Sequence, residues 1–112
     1  MEKKFVIIIA EDVDVISEAT KKSIINTGID VEIIQTKDGE DTIIKMLEFN
    51  PKLLILNNLM PKKTGIEILR MFNEKGIKLP LVFMSTANGS IASECLKLGA
   101  SRFLQNHIAM NI

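Results

Sequence analysis

A single cysteine, Cys95, stands in the 112 residues, so no disulfide can form within one chain. A metal or redox role for it would need a partner, and the only histidine, His107, lies well along the chain from it. Cys95 therefore reads as a small buried hydrophobe. Net charge is missing too. Fourteen Lys and Arg balance fourteen Asp and Glu, which leaves no field to draw this segment to nucleic acid or to an anionic membrane. No apolar run approaches the roughly 18 residues needed to span a bilayer. The opening Met1-Glu2-Lys3-Lys4 precedes only six apolar residues before Glu11, so no signal peptide is expected. These absences together lead us to expect a cytoplasmic protein with no membrane contact and no direct nucleic-acid contact. Low-complexity tracts, linkers and sequence repeats are absent as well.

What is present is an ordinary globular composition, 46% hydrophobic and 25% charged, in a length that holds one core. Residues 1–112 are read as a single domain. Phe5-Val6-Ile7-Ile8-Ile9-Ala10 is an unbroken apolar run that ends in acids, the pattern of a parallel strand buried on both faces. Ile16, Ala19, Ser23 and Ile24 fall near helical spacing, with Asp14 or Ser17 as caps and Gly28 as the stop. Val31–Gln35 alternates more and reads as an edge strand. Asp38-Gly39 opens a short helix that Asn50-Pro51 closes. The pattern then repeats. Strands are expected at Leu53–Leu56, Leu81–Met84 and Arg102–Leu104, and helices are marked by Ile66, Leu69 and Phe72 and by Ile91, Cys95 and Leu98.

Strand alternating with helix at this spacing predicts an α/β fold, a doubly wound, parallel, five-stranded sheet of the flavodoxin-like kind. In such sheets the binding crevice lies beyond the carboxyl ends of the strands. Glu11-Asp12, Asn57-Asn58, Ser85-Thr86 and Asn106 are expected to follow those ends and to converge.

The residues at these ends resemble the response-regulator receiver family, the CheY-like domains of two-component systems. Ile8-Ile9-Ala10-Glu11-Asp12 is similar to the strand whose acidic pair holds Mg²⁺. Asp38-Gly39-Glu40 resembles the family's D-G-E, Leu53–Pro61 its phosphoacceptor strand with the M-P turn, and Gly65-Ile66-Glu67-Ile68-Leu69 its G-x-E-x-L helix start. Leu79-Pro80, Ser85 and Gly99-Ala100 also fit, in the same order and spacing. The resemblance implies Glu11 and Asp12 as metal positions, Ser85 as the hydroxyl that contacts the phosphoryl group and Phe103 as the switch aromatic. Two positions depart from the family. Four residues before Pro61 the phosphoacceptor aspartate is replaced by Asn57, and seven after Gly99 the lysine is replaced by Asn106, with His107 in place of the following proline. A carboxamide is no nucleophile for phosphoryl transfer, and the cation that would pair with the phosphate is lost. The pocket's formal charge stays at −2 all the same, because one carboxylate and one lysine are lost together.

The resemblance thus implies a degenerate pseudo-receiver with no catalytic residues and no enzyme activity. It would signal through a protein partner such as a histidine kinase, an output domain or another regulator. No cofactor is required, and Mg²⁺ would be held weakly at most by Glu11, Asp12, the Asn57 amide oxygen and the Leu59 carbonyl. The main alternative is a phosphorylation-competent receiver in which Asn57 is an engineered lock, which leaves Asn106 unexplained. A haloacid-dehalogenase-type phosphatase would start from Asp12-Val13-Asp14 but lacks the threonine at Ile16 and a late acidic pair. A flavodoxin-like FMN site would set Glu11-Asp12 against the phosphate. The eight residues after Leu104 are too few for a loop and the family's fifth helix, so that helix is expected to be absent or truncated. The sheet face near Ile7, Ile9, Leu54 and Leu104 would then be partly uncovered, and a homodimer is a candidate way to cover it.

Overall fold

The computed structural model describes residues 5–86 and 89–105. Five parallel strands, β1 (Phe5–Ala10), β2 (Val31–Thr36), β3 (Leu53–Asn57), β4 (Leu81–Thr86) and β5 (Arg102–Gln105), form one sheet in the order β2-β1-β3-β4-β5. The connections are α1 (Asp14–Asn26), α2 (Gly39–Phe49), α3 (Gly65–Glu74) and α4 (Ala92–Lys97), the last preceded by a 3-10 turn at Gly89–Ile91. This is the expected flavodoxin-like receiver architecture, with β2 at the edge. The order reverses between β1 and β3, which places the crevice between their carboxyl ends. Among the described residues no helix is long and apolar enough to cross a membrane. The expected absence or truncation of a fifth helix concerns residues after Gln105, which lie outside the described part.

The two sheet faces are covered unequally. Ile8, Ala10, Leu54, Leu56, Val82 and Met84 point to one side, where Met46 of α2, Ile68, Leu69 and Phe72 of α3 and Cys95 of α4 close over them. No α1 residue belongs to that cluster, and α1 packs against β1 from the other side. Leu54 was expected on the less covered face, and this is corrected. Leu54 pairs with Ile8, so it shares that residue's side and is fully buried. Ile7 and Ile9 do face the other way, yet both are buried, while Leu104 is 56% exposed and Leu81 58%. Among the described residues, that face is exposed at Leu81 and Leu104 on the β4–β5 side and at Phe5 where β1 begins.

Helix starts show how local chemistry sets the geometry of the crevice. α1 has no side-chain cap. Its N-cap is Val13, whose N–H donates instead to Glu11 Oε2 at 3.1 Å, while Asp14 opens the helix and Ser17 is buried. The expected caps Asp14 and Ser17 are therefore not caps. The inward stripe runs through half-buried Ile16, Thr20 and Ile24 and buried Ser17, leaving Ala19 and Ser23 exposed. At α2 the Asp38 carboxylate does cap, accepting from the Asp41 N–H at 2.8 Å. At α3, Thr64 and Glu67 form a capping box, and the Thr64 N–H, helped by the Thr64 hydroxyl, holds the Glu67 carboxyl below its ordinary value. Two fully buried hydroxyls, Thr36 and Thr42, lie 2.6 Å apart, and Thr42 also donates to the Asp38 carbonyl at 2.7 Å, tying the end of β2 to α2.

Candidate functional site

The carboxyl ends of β1 and β3 bring Glu11, Asp12 and Asn57 together. The Glu11 N–H donates to the Thr36 carbonyl at 3.0 Å, which fixes the chain as it leaves the sheet between β2 and β3. Glu11 is only 5% exposed, while Asp12 beside it is exposed. Burial is the main reason that the Glu11 carboxyl is pushed above its ordinary value. The Val13 N–H and the Asn57 amide oppose that rise, and Asp12 adds to it.

Asn57 sits at the end of β3 and faces this pair. Its Nδ2 donates to Glu11 Oε2 at 3.0 Å, to the Leu59 carbonyl at 3.3 Å and to Asp12 Oδ1 at 3.4 Å. Its Oδ1 accepts from the Leu59 N–H at 3.3 Å. Ser85 is the register partner of Asn57 on β4 and of Leu104 on β5, so its side chain leaves the sheet on the same side as Asn57. One expectation needs correction. Ser85 and Thr86 do not follow β4 but are its last two residues, and Asn57 likewise closes β3. Phe103 is half-buried and packs against the main core cluster. Asn106 and His107 lie outside the described residues, so the structure brings together Glu11, Asp12, Asn57 and Ser85 of the expected set.

Two features of this crevice were not anticipated. Asn58 is buried, and its backbone and side-chain oxygens accept from the N–H groups of Gly65 and Ile66, both at 2.9 Å. With the capping box, in which Thr64 Oγ1 accepts from the Glu67 N–H and Glu67 Oε1 from the Thr64 N–H, all four open donors at the start of α3 are satisfied. The loop between β3 and α3 also presses on α2. The Gly39 N–H donates to the Pro61 carbonyl at 3.0 Å, and a Cβ at Gly39 would lie 2.2 Å from the Lys63 Cβ. Lys62 stays exposed, adopts φ 72° and lies 3.9 Å from both Asp38 and Glu40, adding two long ion pairs to this clasp on the D-G-E segment.

The oxygens of Glu11, Asp12 and Leu59 are the hard donors that a divalent cation would take. The Asn57 amide, however, turns its NH₂ toward all three and its oxygen toward the Leu59 N–H. As arranged, these residues do not fit a metal ion. Among the described residues no group of three or more His, Cys, Asp and Glu converges as a metal cluster.

Comparison with known proteins identifies the family. The family model described as response regulator receiver domain matches residues 7–111. The regulatory protein LuxO of Vibrio cholerae is 38% identical over 80 residues, which is 70% of this chain and 17% of LuxO. A protein-glutamate methylesterase/protein-glutamine glutaminase of Syntrophomonas wolfei is 30% identical over 101 residues, 88% of this chain and 28% of the relative. The chain thus spans less than a third of these curated relatives. Response regulator Rcp1, solved in its Mn²⁺-bound form, superposes with a TM-score of 0.79 at 25% identity, over 92% of this chain and 81% of Rcp1. By fold, by strand order and by sequence, the chain belongs to the response regulator receiver domain family.

Proposed function

We propose that this receiver acts as a pseudo-receiver, signalling through protein–protein contact without being phosphorylated. The observation that carries the reading is the group at the end of β3, where Asn57 stands beside Glu11 and Asp12 and level with Ser85. Under this reading Asn57 holds the phosphoacceptor position, Ser85 the hydroxyl position, Phe103 the switch aromatic position and Asn106 the lysine position. Glu11 and Asp12 hold the metal positions. Forming an acyl phosphate requires a carboxylate oxygen as nucleophile and cationic stabilisation of the transferred group. The Asn57 carboxamide has a delocalised nitrogen lone pair and an uncharged oxygen, so it offers no such nucleophile.

The domain, residues 1–112, is then a cytoplasmic binding module rather than an enzyme, and its partner is a histidine kinase, an output domain or another regulator. The surface around α4, β4 and β5 supports this, since it carries Leu96, 49% exposed, and Leu104 beside the half-buried Phe103. Self-association through the same open end of the sheet is the second arrangement, and light scattering at micromolar concentration reads it directly. The test of function is intact mass after acetyl phosphate with Mg²⁺. An unchanged mass is expected. A gain of one phosphoryl group that hydroxylamine removes would refute the proposal. Asn57→Asp restores phosphorylation only in part, because position 106 still supplies no positive charge.

A further inference from the structure

Glu11 and Asp12 are adjacent carboxylates, and one of them is buried. None of the ion pairs between described residues reaches either: the lysines and the arginine involved serve Asp14, Asp41, Asp38, Glu40 and Glu94. A buried carboxylate without a cation is costly unless donors satisfy it. Here the donors are the Val13 N–H and the Asn57 NH₂, both on Glu11 Oε2. The amide does more than fill one gap. Its two N–H groups are shared among three oxygens that come from the end of β1 and from the loop after β3.

The orientation of that amide follows from its surroundings. Turning it over would set Oδ1 against Glu11 Oε2, Asp12 Oδ1 and the Leu59 carbonyl, three acceptors with nothing to donate. It would also set the NH₂ against the Leu59 N–H. Only one orientation satisfies both ends. To admit a cation among the same oxygens the amide must invert or leave, giving up four hydrogen bonds in exchange for one ligand oxygen.

We propose that the Asn57 carboxamide is a built-in stand-in for a divalent cation, holding Glu11, Asp12 and the Leu59 carbonyl together with no metal bound. The inference rests on the pseudo-receiver reading and deepens it, because a crevice that supplies its own positive group keeps one arrangement at any Mg²⁺ concentration. The Leu59 side chain, 59% exposed at the mouth of the crevice, is then presented constantly. Asn57 holds that residue through both its N–H and its carbonyl.

The test is Mn²⁺ titration of the 112-residue chain, read as paramagnetic broadening of backbone amide signals in wild type, Asn57→Asp and Asn57→Ala. Wild type is expected to keep the Glu11, Asp12, Val13 and Leu59 signals at Mn²⁺ concentrations that erase them in Asn57→Asp. A third carboxylate should tighten the site about ten-fold or more. Asn57→Ala uncovers the oxygens without adding a ligand and should fall between the two. It keeps the test open if the aspartate variant folds poorly. Localised broadening in wild type at the concentration that suffices for a variant would overturn the inference. So would the absence of localised broadening in both variants, since the amide would then be standing in for nothing. A wild-type chain that binds Mn²⁺ yet takes no phosphoryl group sinks this inference alone, whereas phosphorylation of wild type sinks the functional reading beneath it.

Discussion

Replacing Gly39 by alanine puts a methyl group where the β3–α3 loop already lies. The added Cβ would sit 2.2 Å from the Lys63 Cβ and 2.3 Å from the Lys63 carbonyl oxygen, and part of what it meets is backbone that no rotamer change can clear. Either the loop lifts or the first turn of α2 retreats. Overpacking of this kind costs about 1–3 kcal/mol. Separation also breaks the bond from the Gly39 N–H to the Pro61 carbonyl, worth about 1 kcal/mol net. Alanine offsets at most about 1 kcal/mol of this through helix propensity, and less at the first position of a helix than in its interior. The net loss is about 1–3 kcal/mol, a fall in Tm of about 4 °C for each kcal/mol in a domain of this size. The chain has neither Trp nor Tyr, so urea unfolding is best followed by far-ultraviolet circular dichroism. Gly76→Ala is the control. No atom lies within 4 Å of its Cβ, so only the positive φ of 67° costs anything, about 1 kcal/mol. If Gly39→Ala costs no more than that control, the clasp between loop and helix is not what requires glycine.

Other perturbations test separate parts of the crevice. Thr42→Val strips the partner from the Thr36 hydroxyl in a fully buried place and should cost about 1–3 kcal/mol in the same urea assay, whereas a neutral result would mean that the pair is dispensable. Asn58→Ala removes the acceptor of the Ile66 N–H at the start of α3 and should cost about 1 kcal/mol, with hydrogen exchange of that amide accelerated. Glu11 is the pH prediction. Its carboxyl sits above the ordinary 4.5, so the folded chain binds that proton more tightly than the unfolded one. This group's contribution to stability therefore falls as pH rises through the interval from the ordinary value to the raised one, and the penalty is full above it. Glu11→Gln keeps one oxygen for Val13 and Asn57 while removing the charge, so it should be more stable than wild type at neutral pH. The gain should fade as pH falls below the ordinary carboxylate range, and an advantage that grows with acid would contradict the assigned direction.

Much of the fold could be read from the chain because its signals were local. Phe5–Ala10 is continuous and apolar, and Asp38-Gly39 and Asn50-Pro51 bracket α2 with chemistry that depends on neighbours in sequence. The misplacement of Leu54 has a different origin. A strand buried on both faces carries no alternation, so nothing in Leu53–Leu56 reveals parity, and only the register pairing Ile8 with Leu54 assigns a side. Ser85 and Thr86 were set beyond β4 for a similar reason, since ladder pairing with β5 carries the strand past its apolar stretch. For α1 the expected caps failed because the helix begins with Val13 at the N-cap, whose side chain has no acceptor, and Asp14 and Ser17 already lie inside it. The capping box at Thr64 and Glu67 was legible by its spacing and was not read. In the site, residue identities at Glu11, Asp12, Asn57 and Ser85 sufficed to bring the group together. The direction in which the Asn57 amide points was not legible, because it depends on the Leu59 backbone.

The lone thiol has a use that its chemistry alone would not suggest. Cys95 is the fully buried residue of α4, a helix of six residues, and burial pushes its pKa up. A thiol reagent in solution therefore waits for that corner to open before it can react. Labelling rate against urea concentration then becomes a clock on one named part of the molecule. A slope equal to that of global unfolding would mean that α4 lifts only when the whole sheet comes apart. A shallower slope would mean that the α4 side breathes independently, and a single mass measurement per time point would count how often.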